Sequence, residues 1–206
     1  RLAARTLKQG NLVNPSTHLE NDEFGYSCYT IVIPAPPELT ELLLEIERAA
    51  GQKRAKIPAH VTVKGTLYGI ASLDGMIETI REIAGRHEPF ELGTAGMKVW
   101  DSSDSLILGF DVNPEIQALH DELVATISPL GKPAYKDDPY GVHMSIVNEA
   151  GEQGVEVAMK MLKDVDFGDS LSVSTIDLMG RDGVAWGGVW KRLERFELNV
   201  ISQSSD

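Results

Sequence analysis

Cysteine occurs once in the 206 residues, at Cys28. A lone thiol excludes an internal disulfide and any cysteine metal cluster, so a reducing compartment and a cytoplasmic location are expected. No apolar run approaches the roughly 20 residues that a membrane span requires, and a soluble domain with no membrane partner is expected. Positive charge is also scarce: 19 Lys and Arg stand against 31 Asp and Glu, a formal net charge of −12. Such a chain lacks the basic face needed to coat long nucleic acid. A small anion needs only a few local donors and is not excluded. Low-complexity segments and short-period repeats are absent too. What remains is ordinary globular composition, 42% hydrophobic and 24% charged, long enough for one large domain or two small lobes.

Residues 1–23 carry scattered apolar positions, and Pro15 interrupts any helix. Arg1, Arg5 and Lys8 precede the first acid at Glu20, a faint likeness to a transit peptide, but a flexible N-terminal tail is the expectation. From Tyr26 the pattern turns regular. Strands are predicted over 29–33, 57–67 and 90–100, with helices over 40–50 and 73–84 between them. Gly51 and Gly85 follow the two helices as stop signals. The order then repeats: strands over 106–112, 142–147 and 171–178 alternate with helices over 115–127 and 155–162, and a last strand covers 189–198. Pro114 stands at the first helical position, where its missing N–H costs nothing. The fold class expected is α+β: a bilobal duplication of β-α-β-α-β halves, two mainly antiparallel sheets facing a central cleft. The two-lobed domain spans 24–200 and a C-terminal tail spans 201–206.

Two of the five histidines share a context. His60-Val61-Thr62-Val63 lies in the second strand of the first half, and His143-Met144-Ser145-Ile146 in the second strand of the second half, 83 residues later (60 to 143). Side chains alternate faces along a strand. His60 and Thr62 therefore share one face while Val61 and Val63 share the other, and the second motif repeats the arrangement. Each strand is written for a polar cleft on one side and a core on the other. The chemistry that wants two such motifs is phosphodiester cleavage without metal. In-line displacement at phosphorus needs a base on the attacking oxygen and an acid on the leaving one. Imidazole serves both roles near neutral pH, and the hydroxyls can hold the non-bridging oxygens.

Paired His-x-Thr/Ser motifs in duplicated β-α-β-α-β halves resemble the 2H phosphoesterase superfamily, and within it the 2′-5′ RNA ligase and RNA 2′,3′-cyclic phosphodiesterase group. The likeness covers about 26–198 and includes the Pro-rich turn after Ile33 and the closing Phe196-Glu197-Leu198. It implies a monomeric enzyme with no metal and no cofactor. Its implied reaction is hydrolysis of the 2′,3′-cyclic phosphate of an RNA terminus or small nucleotide to a 2′-phosphate. It further implies that His60 and His143 are the acid–base pair and Thr62 and Ser145 the phosphate donors. The same residues could join RNA ends through a 2′-5′ linkage, and which histidine is the base stays open. Two other readings compete: a catalytically idle nucleotide- or RNA-binding module, and a phosphodiesterase for another small nucleotide.

Lys64 shares the face of His60 if the strand stays regular and is a candidate phosphate or ribose contact. Tyr68, on the same face by strict alternation, and Tyr140, in a Pro-bounded loop before the second motif, are candidates to stack on a base, with Tyr29 beside them. Arg48, Lys53, Arg54, Lys56 and Lys64 form a run of cations without an acid that could steer a polyanion. Trp100, Trp186 and Trp190 read as core or edge aromatics. His18, His87 and His120 lack a paired hydroxyl and read as structural or solvent-facing. Asp101, Asp104 or Asp137 would have to complete any metal site, and none has ligand spacing with the histidines.

Overall fold

The computed structural model describes residues 20–52, 57–100, 104–134, 140–183 and 188–199. Lys53, Arg54, Lys56, Asp101, Asp137, Trp186, His18 and the C-terminal tail lie outside them. Asn21 and Asp22, read in sequence as tail, are tied to the body: Asn21 donates to the Asp182 carboxylate at 3.0 Å, and Asp22 accepts the Tyr29 hydroxyl at 2.8 Å.

Strand β1 (Cys28–Pro34) is buried almost throughout, and the prolines after it open helix α1 (Pro37–Ala49). Strand β2 (His60–Tyr68) follows, then α2 (Leu73–Ala84), whose first turn is capped by the Ser72 hydroxyl accepting from the Gly75 amide. Strand β3 (Phe90–Trp100) closes the first half. The second half runs β4 (Ser105–Phe110), α3 (Pro114–Ile127), the two-residue β5 (Lys132–Pro133), β6 (His143–Val147), α4 (Gly151–Met161), β7 (Ser170–Val173), β8 (Thr175–Asp182) and β9 (Val189–Glu197). Helix α3 begins as the sequence indicates, with Asn113 accepting from the Ile116 amide and Pro114 in the first turn.

The strands pair antiparallel in the order β7-β3-β4-β6-β2-β1-β8-β9, with β5 added to β2. The pairing is antiparallel throughout, as expected, in one nine-stranded sheet whose two halves meet at β6 and β2. The sequence halves interleave rather than each forming a lobe. β3 pairs with β4 across the halves, and β8 returns to pair with β1. Helices α2 and α3 lie together over β2, β8 and β9, whereas α1 and α4 lie together over β4 and β6. Each lobe therefore holds one helix from each half.

One predicted strand is two. The run 171–178 breaks at Ser174, sending β7 to β3 in one lobe and β8 to β1 in the other. Burial explains the split: β7 alternates exposed and buried residues as an edge strand does, while β8 is buried almost continuously as a central one. The helices cover one face of the curled sheet. Ile31, Ile33, Val61, Val63, Met144 and Ile146 point into that core against Ile46, Ile80, Leu119 and Leu123. Each large apolar side chain buried there contributes about 1.5–3 kcal/mol. The other face is left for chemistry.

Candidate active site

Val61, Val63, Met144 and Ile146 are all fully buried in the helix-side core. Strand alternation then places His60, Thr62, His143 and Ser145, all half-buried, on the opposite face. What brings the motifs together is one antiparallel bridge, Val61 to Met144, the only pairing between β2 and β6 among the described residues. In the register of that bridge His60 stands across from Ser145, and Thr62 across from His143. Residues directly opposite have Cβ atoms about 4.5–5.5 Å apart, so each imidazole neighbours the hydroxyl of the other motif. Two motifs distant in the chain form one four-residue cluster.

Both rings are held alike. His60 Nδ1 lies 2.7 Å from the Pro58 carbonyl oxygen, and His143 Nδ1 lies 2.8 Å from that of Gly141. A carbonyl accepts only, so each Nδ1 carries the proton and each Nε2 is left with its lone pair. Burial is the main cause lowering the pKa of His60 from 6.5 to about 4; the Pro58 carbonyl opposes it, and the nearby His143 adds to it. Burial also lowers His143, against the Gly141 carbonyl and with help from the Lys98 charge. Both imidazoles are neutral at pH 7. Trp100 meets His143 edge-on, ring centroids 4.7 Å apart at 78°. Trp100 and Lys98 alternate with Met97 and Val99 on the outer end of β3, and Lys98, Ile107 and Ser145 are paired in one row across β3, β4 and β6. Among the described residues no group of three His, Cys, Asp or Glu is placed to hold a metal ion.

Three expected substrate contacts lie elsewhere. The ladder between β1 and β2 pairs Ile31 with Lys64 but Val32 with Thr62, so Val63 is the extra residue of a bulge. The bulge flips the alternation and turns Lys64, only 1% exposed, toward the core, where it shares a small cavity with Tyr29, Met76, Ile127 and Leu178. Lys64 is not on the face of His60. Tyr68 is buried at 3% exposure against Cys28, Ala134 and Trp190 and presents no ring to a ligand. Tyr140 stacks on His120 instead, centroids 3.7 Å apart and nearly parallel, and donates its hydroxyl to the Thr62 carbonyl at 3.0 Å. His120 Nδ1 in turn lies 2.6 Å from the Val63 carbonyl. Past the single β2–β6 bridge these two carbonyls would lack a ladder partner, a costly omission in a buried strand, and the stacked pair supplies one to each. Tyr29 is core, bonded to Asp22. Of the cationic run, Arg48 is exposed on α1 and Lys64 lies in the core, while Lys53, Arg54 and Lys56 lie outside the described residues.

A cavity of about 350 Å³ opens beside His60, between β8, β9 and the start of α1. Its floor is a buried carboxylate, Asp177, which accepts two hydrogen bonds from Arg195 at 2.7 and 2.9 Å and has Arg192 at 3.8 Å. Positions 192 and 195 would face opposite sides of a regular strand. A bulge in β9, where Leu178 pairs with Glu194 and Met179 with Arg192, puts both arginines on the site's face. Trp190, Met179, Val32 and Pro34 form apolar walls. The sequence reading missed Lys98, Trp100, Asp177, Arg192 and Arg195. The alternation of Lys98 with Trp100 on a strand edge could have found the first two; nothing in the sequence marks the β9 bulge.

Comparison with known proteins finds the same fold elsewhere. The TT0787 protein of Thermus thermophilus superposes with a TM-score of 0.62 at 17% identity, covering 84% of this chain and 99% of that one. Escherichia coli LigT in its apo form gives 0.59 at 19% identity, covering 84% and 97%. LigT complexed with 3′-AMP gives 0.57 at 17%, covering 84% and 98%. At these identities the likeness is one of fold. No curated protein matches in sequence. The profile of the 2′-5′ RNA ligase superfamily, however, matches residues 35–185, nearly three quarters of the chain and both motifs, and the chain belongs to that superfamily of 2H phosphoesterases.

Proposed function

We propose that the protein is a metal-independent phosphodiesterase that opens 2′,3′-cyclic phosphates of RNA ends or nucleotides to 2′-phosphates. The observation that carries the reading is the Val61–Met144 bridge, which sets two imidazoles with bare Nε2 atoms and two hydroxyls around one space. Solved relatives add that a nucleotide fits such a fold, since LigT is known complexed with 3′-AMP and with ATP.

In this reading His60 is the base. It is the more strongly depressed imidazole and stays neutral when an anion enters. His143, less depressed and beside a cation it can exchange for a phosphate partner, takes up the proton and becomes the acid. His60 Nε2 removes a proton from water as its oxygen attacks phosphorus. The bond from phosphorus to the ribose 3′ oxygen breaks, and His143 Nε2–H protonates that oxygen. Thr62 and Ser145 donate to the non-bridging oxygens, where charge accumulates. The same groups form a 2′-5′ linkage when an RNA 5′-hydroxyl attacks the cyclic phosphate in place of water and the bond to the 3′ oxygen breaks.

The test is a panel of 2′,3′-cyclic nucleotides and 2′-5′ dinucleotides assayed with a chelator present, on the wild type and on His143→Ala. Turnover in the wild type with a loss of about 10²–10⁴-fold in the variant is expected for a general acid. Wild-type protein inert on the whole panel overturns the proposal in favour of an idle binding module.

A further inference from the structure

We propose that the cavity beside His60 is a nucleobase pocket in which Arg192 reads the acceptor edge of a purine, favouring guanine over adenine. The inference rests on the phosphodiesterase reading, because it places the base of the nucleotide whose phosphate lies at His60.

Charge decides first what the cavity holds. Arg192 and Arg195 on its wall are balanced by Asp177 on its floor and by Glu41, exposed at the rim on α1. Among the lining residues a second phosphate would find no net positive charge, and Arg181, over the Trp190 ring, donates its Nε to Ser27. A neutral planar group would find what ligand pockets ordinarily offer, apolar walls with a few fixed polar groups. Val32, Pro34, Met179 and Trp190 supply the walls, and about 350 Å³ admits a base with room to spare.

The two arginines are not equivalent. Arg195 spends Nε and Nη2 on both oxygens of Asp177, a bidentate geometry that fixes its plane. Arg192 approaches the same carboxylate only at 3.8 Å, through Nη1, and is half-exposed. It is the donor available to a ligand. A guanidinium pairs bidentately with two adjacent acceptors, as guanine O6 and N7 present, whereas adenine offers N7 beside a donor amine. The β9 bulge that brings Arg192 onto this face gives the edge-reader its position.

The experiment compares guanosine and adenosine 2′,3′-cyclic phosphates with ribose 2′,3′-cyclic phosphate that lacks a base. Substrates with a base should show kcat/KM well above that of the base-free sugar, and guanosine should exceed adenosine by about tenfold, the discrimination of one good bidentate contact. Arg192→Ala should bring the guanosine-to-adenosine ratio to about one. Lys191→Ala, which removes a neighbouring charge bonded to Asp182 on the other side of β9, should leave it. Arg192 is the residue to change, because truncating Arg195 would strand the buried Asp177 charge and risk the fold. Equal rates with and without a base, or a ratio that survives Arg192→Ala, overturn the pocket. A gain from a 5′-phosphate that exceeds the gain from the base assigns the cavity to an anion instead and also overturns it. If no cyclic phosphate turns over, the phosphodiesterase reading fails by itself. Calorimetric binding of guanosine and adenosine 2′-monophosphates to wild type and Arg192→Ala then decides the pocket by the same ratio.

Discussion

The Tyr140 hydroxyl donates to the main-chain carbonyl of Thr62, 78 positions earlier in the chain, at 3.0 Å. That bond holds the strand carrying Thr62 from behind, at the point where β2 leaves β6. Tyr140→Phe keeps the ring on His120 and leaves a buried carbonyl short of a donor. The expected cost is about 1–3 kcal/mol of stability. Because the slack falls on Thr62, kcat should drop about tenfold while KM changes little. Unfolding curves and steady-state kinetics on one preparation separate the two effects. An unchanged kcat would show that the bond supports the strand without positioning the hydroxyl.

The carbonyls of Pro58 and Gly141 dictate the tautomer of the two site histidines. Long-range proton–nitrogen correlation spectra at pH 7 should show Nδ1 protonated and Nε2 bare in both rings. The titration midpoints of both rings should fall below the ordinary 6.5, that of His60 near 4. A ring with its proton on Nε2 would undo the role given to that residue.

How much of this was legible before the structure follows from which interactions are local. His60, Thr62, His143 and Ser145 could be placed on one face because period-two alternation needs only near neighbours, and apolar Val61 and Met144 fixed the direction. Pro114 marks the start of α3 through its own ring, which fits the first turn, whereas α1 opens at Pro37, three residues before the predicted start. Lys64 escaped because a bulge at Val63 reverses alternation, and that bulge depends on how β1 pairs with β2 rather than on the residues of β2 alone. Ser174 escaped for a similar reason: β7 and β8 read as one strand, and only their different partners separate them. Tyr140 and His120 act on carbonyls 78 and 57 residues away, a pairing that no local pattern announces.

The depressed pKa of His60 ties stability to pH. In the folded chain it titrates near 4, against 6.5 unfolded, so between these values the unfolded state binds more protons. The contribution of His60 is therefore fully present above about pH 6.5, declines as pH falls toward 4, and changes no further below that. His60→Asn removes the linkage. Chemical denaturation from pH 7 to pH 4 should show a shallower loss of stability in the variant than in the wild type. Parallel slopes would mean that the folded His60 is not held neutral.

Register makes the last prediction. Neighbours opposite each other across the bridge are about 4.5–5.5 Å apart at Cβ, while residues two apart on one strand are separated by about 6.6 Å of rise. Thr62 is thus closer to His143 than to its own motif partner His60, and Ser145 closer to His60. Thr62→Val, which removes the hydroxyl without changing shape, should lower kcat by about 10²–10³-fold, as expected for one donor to developing charge. The size of that loss should depend on which histidine is present. In double-mutant cycles on kcat/KM, Thr62→Val with His143→Ala should be strongly non-additive, and Thr62→Val with His60→Ala nearer to additive. Ser145→Ala should show the reverse pattern. The crossed pairing is a consequence of the bridge alone, since within each motif the sequence spacing is the same; stronger coupling inside the motifs than between them would mean that the two strands do not meet at Val61 and Met144 when the enzyme turns over.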